Sequence, residues 1–106
     1  MKAEEKLYGY GKIDILQGPT PLELLANVSK DLGVNVYCKR DDLTPLAAGG
    51  NKLRKLEYLV KDALDKGATM LITEGGAQTN HGRLTAAAAA KFGLKCEHSL
   101  SRRCSA

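Results

Sequence analysis

Thr69-Met70-Leu71-Ile72-Thr73 is the stretch that decides the fold. It is short and apolar on both faces, the pattern of a strand inside a parallel sheet. Immediately before it, a helical period runs over residues 51–66. Leu53, Leu56, Leu59, Val60, Ala63 and Leu64 form its apolar stripe, and Gly67 ends it. Immediately after it comes a glycine-containing turn, Gly75 to Thr79, and then a helix over residues 80–92 stopped by Gly93. Leu94-Lys95-Cys96 begins a further strand. Further upstream, Val34 to Lys39 alternates as a strand does. Before that, Thr20-Pro21-Leu22-Glu23 has the form of a capping box with proline at the first helical position. It predicts a helix carrying Leu22, Leu25, Val28 and Leu32 and ended by Gly33. Residues 1–18 read as an irregular segment.

The resulting order is helix, strand, helix, strand, helix, strand. That predicts an α/β domain, a parallel sheet with covering helices. Ligands of such sheets bind beyond the carboxyl ends of strands, where loops and helix N-termini gather. Two loops occupy that place here, Arg40 to Lys52 and Glu74 to His81.

Composition narrows the function classes. Of 106 residues, 43% are hydrophobic and 26% charged, which excludes a disordered, collagen-like or coiled-coil chain. The net charge of +4 comes from lysines interleaved with acids, a mixed solvated surface. Trp is absent and Phe occurs once, so stacking platforms for single-stranded nucleic acid are not expected. Cys38, Cys96 and Cys104 are odd in number and lack CxxC spacing, which disfavours a disulfide scaffold or zinc site. No apolar run reaches membrane-spanning length. The expectation is a soluble, cytoplasmic protein that binds neither nucleic acid, membrane nor metal.

Within the two loops, Gly49-Gly50-Asn51-Lys52 places a lysine in the first turn of a helix. The helix N-terminus carries partial positive charge and disfavours an ammonium there. A neutral amine is the form that condenses with an aldehyde. A solvated surface lysine beside a flexible loop is the competing explanation. Gln78-Thr79-Asn80-His81 opens the following helix. Thr79 or Asn80 serves as an N-cap, and the remaining amide, hydroxyl and imidazole suit a polar ligand with a carboxylate. Asp41-Asp42 is read as local ion pairing, with Arg40 as a partner, in preference to a proton-sharing dyad. His98 receives no role.

Four segments carry a resemblance: Thr20 to Glu23, Lys39-Arg40-Asp41-Asp42-Leu43, Gly49 to Glu57, and Gln78-Thr79-Asn80-His81-Gly82-Arg83. In this order and spacing they resemble the pyridoxal-phosphate enzymes that group D-cysteine desulfhydrase with 1-aminocyclopropane-1-carboxylate (ACC) deaminase. The resemblance implies a tryptophan-synthase β-type (fold type II) architecture, pyridoxal 5'-phosphate as cofactor, and a homodimeric parent. It implies that Lys52 forms the Schiff base and that Asn80 hydrogen-bonds the ring's phenolic oxygen. It further implies that Thr79 acts near the substrate carbon, and that Gln78, Thr79 and His81 line the substrate-carboxylate side. The substrate would be a small amino acid. Thr79, where the deaminases carry serine, makes the turn more similar to the desulfhydrase branch, with the deaminase as the alternative. A non-catalytic anion-binding α/β module is the alternative of another class.

From Glu97 the sequence is polar and basic, where the resemblance predicts a continuing apolar strand. The expected division is therefore an irregular segment at 1–18, a partial, truncated cofactor domain at 19–96, and a tail outside the family pattern at 97–106. An N-terminal fragment of this kind is expected to be inactive alone.

Overall fold

The computed structural model describes residues 1–101. Four α-helices and four strands follow one another as α1 (Ala3–Tyr8), β1 (Leu22–Leu24), α2 (Ala26–Leu32), β2 (Tyr37–Lys39), α3 (Leu53–Asp65), β3 (Met70–Gly75), α4 (Asn80–Lys91) and β4 (Lys95–Leu100), with a short 3-10 helix at Asp41–Leu43 between β2 and α3. The class is α/β, as the sequence predicts. The centre is β3–α4–β4, in which β3 and β4 pair in parallel with Met70 opposite Lys95 and Gly75 opposite Leu100. The core lies between α3 and α4, over one face of β3. Leu56, Val60, Leu84 and Ala88 are buried there, with Ile13, Leu64, Leu71 and Phe92 packed around them.

The structure corrects several details. Strand β3 is covered on one face only: Leu71 and Thr73 are half-buried, whereas Met70 and Ile72 are exposed. The apolar character of Thr69–Thr73 is therefore not matched by cover on both sides. In α3, Leu59 points outward, and Glu57 takes an inward position. The cause is the N-terminal segment, whose backbone crosses α3 and needs acceptors. The Glu57 carboxylate accepts from Ile15 N at 2.8 Å and Leu16 N at 3.0 Å, and from Lys12 Nζ at 3.3 Å. The same segment is not wholly irregular, since Glu5 accepts from Lys2 N and closes the first turn of α1.

The largest correction concerns Thr20 to Glu23, which opens no helix. The Thr20 hydroxyl donates to Asp41 at 3.0 Å and accepts from Arg54 at 3.1 Å, so it caps nothing. Leu22–Leu24 instead forms β1, antiparallel to β2. Backbone bonds from Arg40 N to Pro21 O and from Leu25 N to Val36 O, both 2.9 Å, flank that ladder. The helix begins later, at Ala26, and still ends at Gly33 with φ 68°. Strand β2 thus joins a separate two-stranded sheet and not the parallel one. Leu22, Leu25, Val28 and Leu32, the predicted helical stripe, are all exposed. Strand β4 continues through Leu100. The basic pair Arg102-Arg103 and Cys104 of the expected tail lie outside the described residues.

Candidate active site

Lys52 sits at the N-cap of α3, half-buried. The loop leading to it is shaped by glycine. Gly49 has φ 83°, and a side chain there would collide with the Asp42 carbonyl. Thr44 closes the loop from within. Its hydroxyl donates to Gly50 O and accepts from Gly50 N, both at 2.8 Å.

Asp41 and Asp42 have separate partners. Arg40 holds Asp42 through Nε at 2.9 Å and Nη2 at 2.8 Å. Arg54 holds Asp41 through Nε and Nη2, both at 2.7 Å. The Arg54 hydrogen bonds bring the Asp41 carboxyl down to about 2. Asp42 is lowered too, chiefly by its hydrogen bond to Arg40. Two carboxylates ionised by different arginines form no proton-sharing dyad.

The second half of the site is the start of α4. Thr79 is its N-cap and accepts from Gly82 N at 3.0 Å. Gln78 and Asn80 are exposed and His81 is half-buried. Burial lowers the pKa of His81, and the positive charges of Lys55 and Lys52 lower it further. His81 Nδ1 is buried and has no hydrogen-bond partner among the described residues. His81 also borders a groove of about 240 Å³ beside β3, together with Thr73, Thr85 and Val60.

Two residues with no role in the sequence reading stand at this place. Arg83 donates to Ala47 O and, at 3.0 Å, to Gly49 O. It thereby ties the first turn of α4 to the lysine loop. His98 packs against the same turn: a Cβ at Gly82 would lie 2.9 Å from its Cδ2 and 2.5 Å from Thr79 Cγ2. Its Nε2 is buried without a partner among the described residues. Only the β3–β4 register, with Thr73 opposite His98, brings it there, and no local pattern in Glu97–Ser101 signals that. Among the described residues no cluster of His, Cys, Asp and Glu is able to hold a metal ion, and no helix is long and apolar enough to cross a membrane.

A helix-start lysine tied to a polar helix N-terminus in an α/β domain defines a small-molecule site that offers one amine and several hydrogen-bonding groups. The chain belongs to the pyridoxal-phosphate dependent enzyme family, whose model matches residues 13–106. Among curated relatives, the D-cysteine desulfhydrase of Serratia proteamaculans (strain 568) is 53% identical over 96 residues, covering 91% of this chain and 29% of that protein. The D-cysteine desulfhydrase of Salmonella paratyphi B (strain ATCC BAA-1250 / SPB7) is 58% identical over 87 residues, covering 82% of this chain and 26% of its own. A crystal structure described as an ACC deaminase homologue superposes with a TM-score of 0.86 at 43% identity, over 97% of this chain and 32% of that one. The chain thus spans about 29% of the length of the first of these relatives. The resemblance stated from the four motifs is borne out, together with the family's cofactor.

Proposed function

We propose that this chain carries the lysine-bearing part of a pyridoxal-phosphate lyase that converts D-cysteine to sulfide, pyruvate and ammonia. The observation that carries the proposal is the tie that Arg83 makes between the Lys52 loop and the first turn of α4, the helix that the Thr79–His81 segment opens. The residues present fit the cofactor. Lys52 offers the amine an aldehyde requires, and the buried, unpartnered Nδ1 of His81 awaits a polar group. Lys52 would hold the cofactor, and Asn80 would hydrogen-bond its phenolic oxygen. Gln78, Thr79 and His81 would receive the substrate carboxylate. When bound, pyridoxal phosphate supplies an electron sink for a carbanion at the substrate's α-carbon. The Lys52 amine would then move the proton at that carbon. Thr79 has its acceptor side engaged by Gly82 N, which leaves its hydroxyl hydrogen free for the substrate.

The names of the desulfhydrase relatives support D-cysteine as substrate. The structural neighbour's description favours ACC deamination as the second reading. Residues 19–96 would carry the cofactor-domain part, and residues 12–16 of the preceding segment would brace α3 through Glu57. A homodimer is supported by the exposed apolar side chains of Leu22, Leu24 and Tyr37. A cytoplasmic setting is supported by the free thiols of Cys38 and Cys96.

The test is to add pyridoxal phosphate to the protein, reduce with borohydride and map the modified lysine. Lys52 is expected to carry the label, and Lys52→Ala to abolish it. A label on Lys39 or Lys55 instead sinks the assignment. Asn80→Ala is expected to weaken cofactor binding by the loss of a charge-assisted hydrogen bond, about 1.5–3 kcal/mol, and to shift the visible absorbance. An unchanged spectrum would leave Asn80 without a cofactor role. Sulfide release from D-cysteine by the 106-residue chain is expected to match free cofactor, since the chain spans a minor share of its relatives.

A further inference from the structure

The chain from Ala47 to Gly50 has four consecutive positive φ angles: 48°, 64°, 83° and 139°. Two of them belong to alanines, for which this conformation is unfavourable and persists only where the surroundings impose it. Most of the bonds that impose it come from the loop itself. Gly49 N donates to Leu46 O and Gly50 N to Asp41 O, both at 3.0 Å, and Thr44 clasps Gly50 in both directions. One side chain reaches in from elsewhere. Arg83, four residues beyond the Thr79 N-cap of α4, donates through Nη1 to Ala47 O and through Nη2 to Gly49 O. No carboxylate of the described residues forms a salt bridge with it. The next residue of α4 adds a packing contact, since a Cβ at Gly50 would lie 3.2 Å from Leu84 Cδ1.

From this geometry we infer that Arg83 is a positioning residue for Lys52. Its planar fork spans two carbonyls two residues apart, which a single ammonium cannot do. By holding Ala47 O and Gly49 O it fixes the left-handed loop, and Lys52 follows that loop by two residues. The lysine loop is thereby held to the first turn of α4, the helix that the Thr79–His81 turn opens. The inference rests on the proposed role of Lys52 as the cofactor-holding amine.

The test uses the full chain and the variants Arg83→Ala and Arg83→Lys, the second of which keeps the charge and loses the fork. Two readouts are taken. Amide hydrogen exchange at Gly49 and Gly50 reports the loop without any cofactor. Borohydride trapping of pyridoxal phosphate, mapped by mass, reports labelling of Lys52 relative to Lys55. In both variants exchange at Gly50 is expected to accelerate about tenfold, the loss expected for a hydrogen bond to a charged group. The Lys52 to Lys55 labelling ratio is expected to fall severalfold, with helix content unchanged by circular dichroism. Unchanged exchange in both variants overturns the clamp. Faster exchange with an unchanged labelling ratio overturns its positioning of Lys52, as does full rescue by Arg83→Lys. If the unsubstituted chain labels other lysines and not Lys52, the functional reading fails and takes the positioning role with it, whereas exchange still decides whether the clamp exists.

Discussion

The two sheets of this molecule are built from similar sequence and end in different states. Around β3 and β4, apolar side chains are enclosed: Leu53, Val60, Leu84 and Ala88 have no exposed surface. Around β1 and β2, side chains of the same kind lie open, with Leu22 exposed to 62% and Leu32 to 65%. Helices α1 and α2 bury no residue at all. Apolar periodicity reports that a face is suited to burial, and the elements that pack on it decide whether it is buried. In the first region α3 and α4 close on each other over β3. In the second, no described element covers the leucines. The two regions are joined by polar chemistry, the Asp41 carboxylate held between Arg54 of α3 and the Thr20 hydroxyl ahead of β1.

Substitutions sharpen this contrast. Leu84→Ala is expected to cost about 2–5 kcal/mol, as buried leucines do, measured by urea denaturation. A cost near zero would mean that the α3–α4 core is not what holds the fold. Glu57→Ala leaves Ile15 N and Leu16 N without an acceptor and is expected to cost about 1–3 kcal/mol. Its signature is faster hydrogen exchange at those two amides, because the segment they belong to lifts off α3. Thr79→Ala removes an N-cap and is expected to cost about 1 kcal/mol by the same denaturation assay. A smaller effect is expected from acid. Asp41 titrates at about 2 in the fold against an ordinary 3.8, so its contribution is complete above the ordinary value and is lost as pH falls through 3.8 toward about 2. The 40% exposure of Arg54 lets water screen the pair. Acid titration of Asp41→Asn is expected to show a flatter stability profile in that window than the parent. Leu32→Ala stands at the bottom of the series, within about 0.5 kcal/mol, since the side chain is already in water.

Much of the first region was legible because its signals are local. Gly67 and Gly93 each stop a segment with φ 71°, a conformation glycine alone adopts freely. The α3 and α4 spans follow from period and stop residue, and the two strand-end loops follow from the alternation of elements. The positions of Lys52 and of Gln78 to His81 could therefore be named in advance. What escaped depends on partners distant in sequence. Thr20 to Glu23 satisfies every local rule for a helix start, yet Arg54 and Asp41 take its hydroxyl. Glu57 looks like a solvent-facing acid until residues 12–16 lie across it. Arg83 ends the Gln78–Arg83 motif, but its targets are backbone carbonyls, which carry no sequence signal.

The lengths of α4 and its flanking strands bear on how quickly the first region assembles. Twelve helical residues extend about 18 Å at 1.5 Å per residue. Six strand residues extend about 20 Å at 3.3 Å per residue. The helix therefore returns the chain along almost the whole of β3 before β4 starts, and Met70 meets Lys95 with little slack. Once α4 has formed, the loop that must close to pair the strands is a rigid strut with two short joints, and the entropy of closure falls accordingly. Helices form in microseconds or less, well before parallel strands pair. In this unit the slow step of a parallel sheet is prepared by its own connection, and a glycine placed in the middle of α4 should retard folding more than it hastens unfolding.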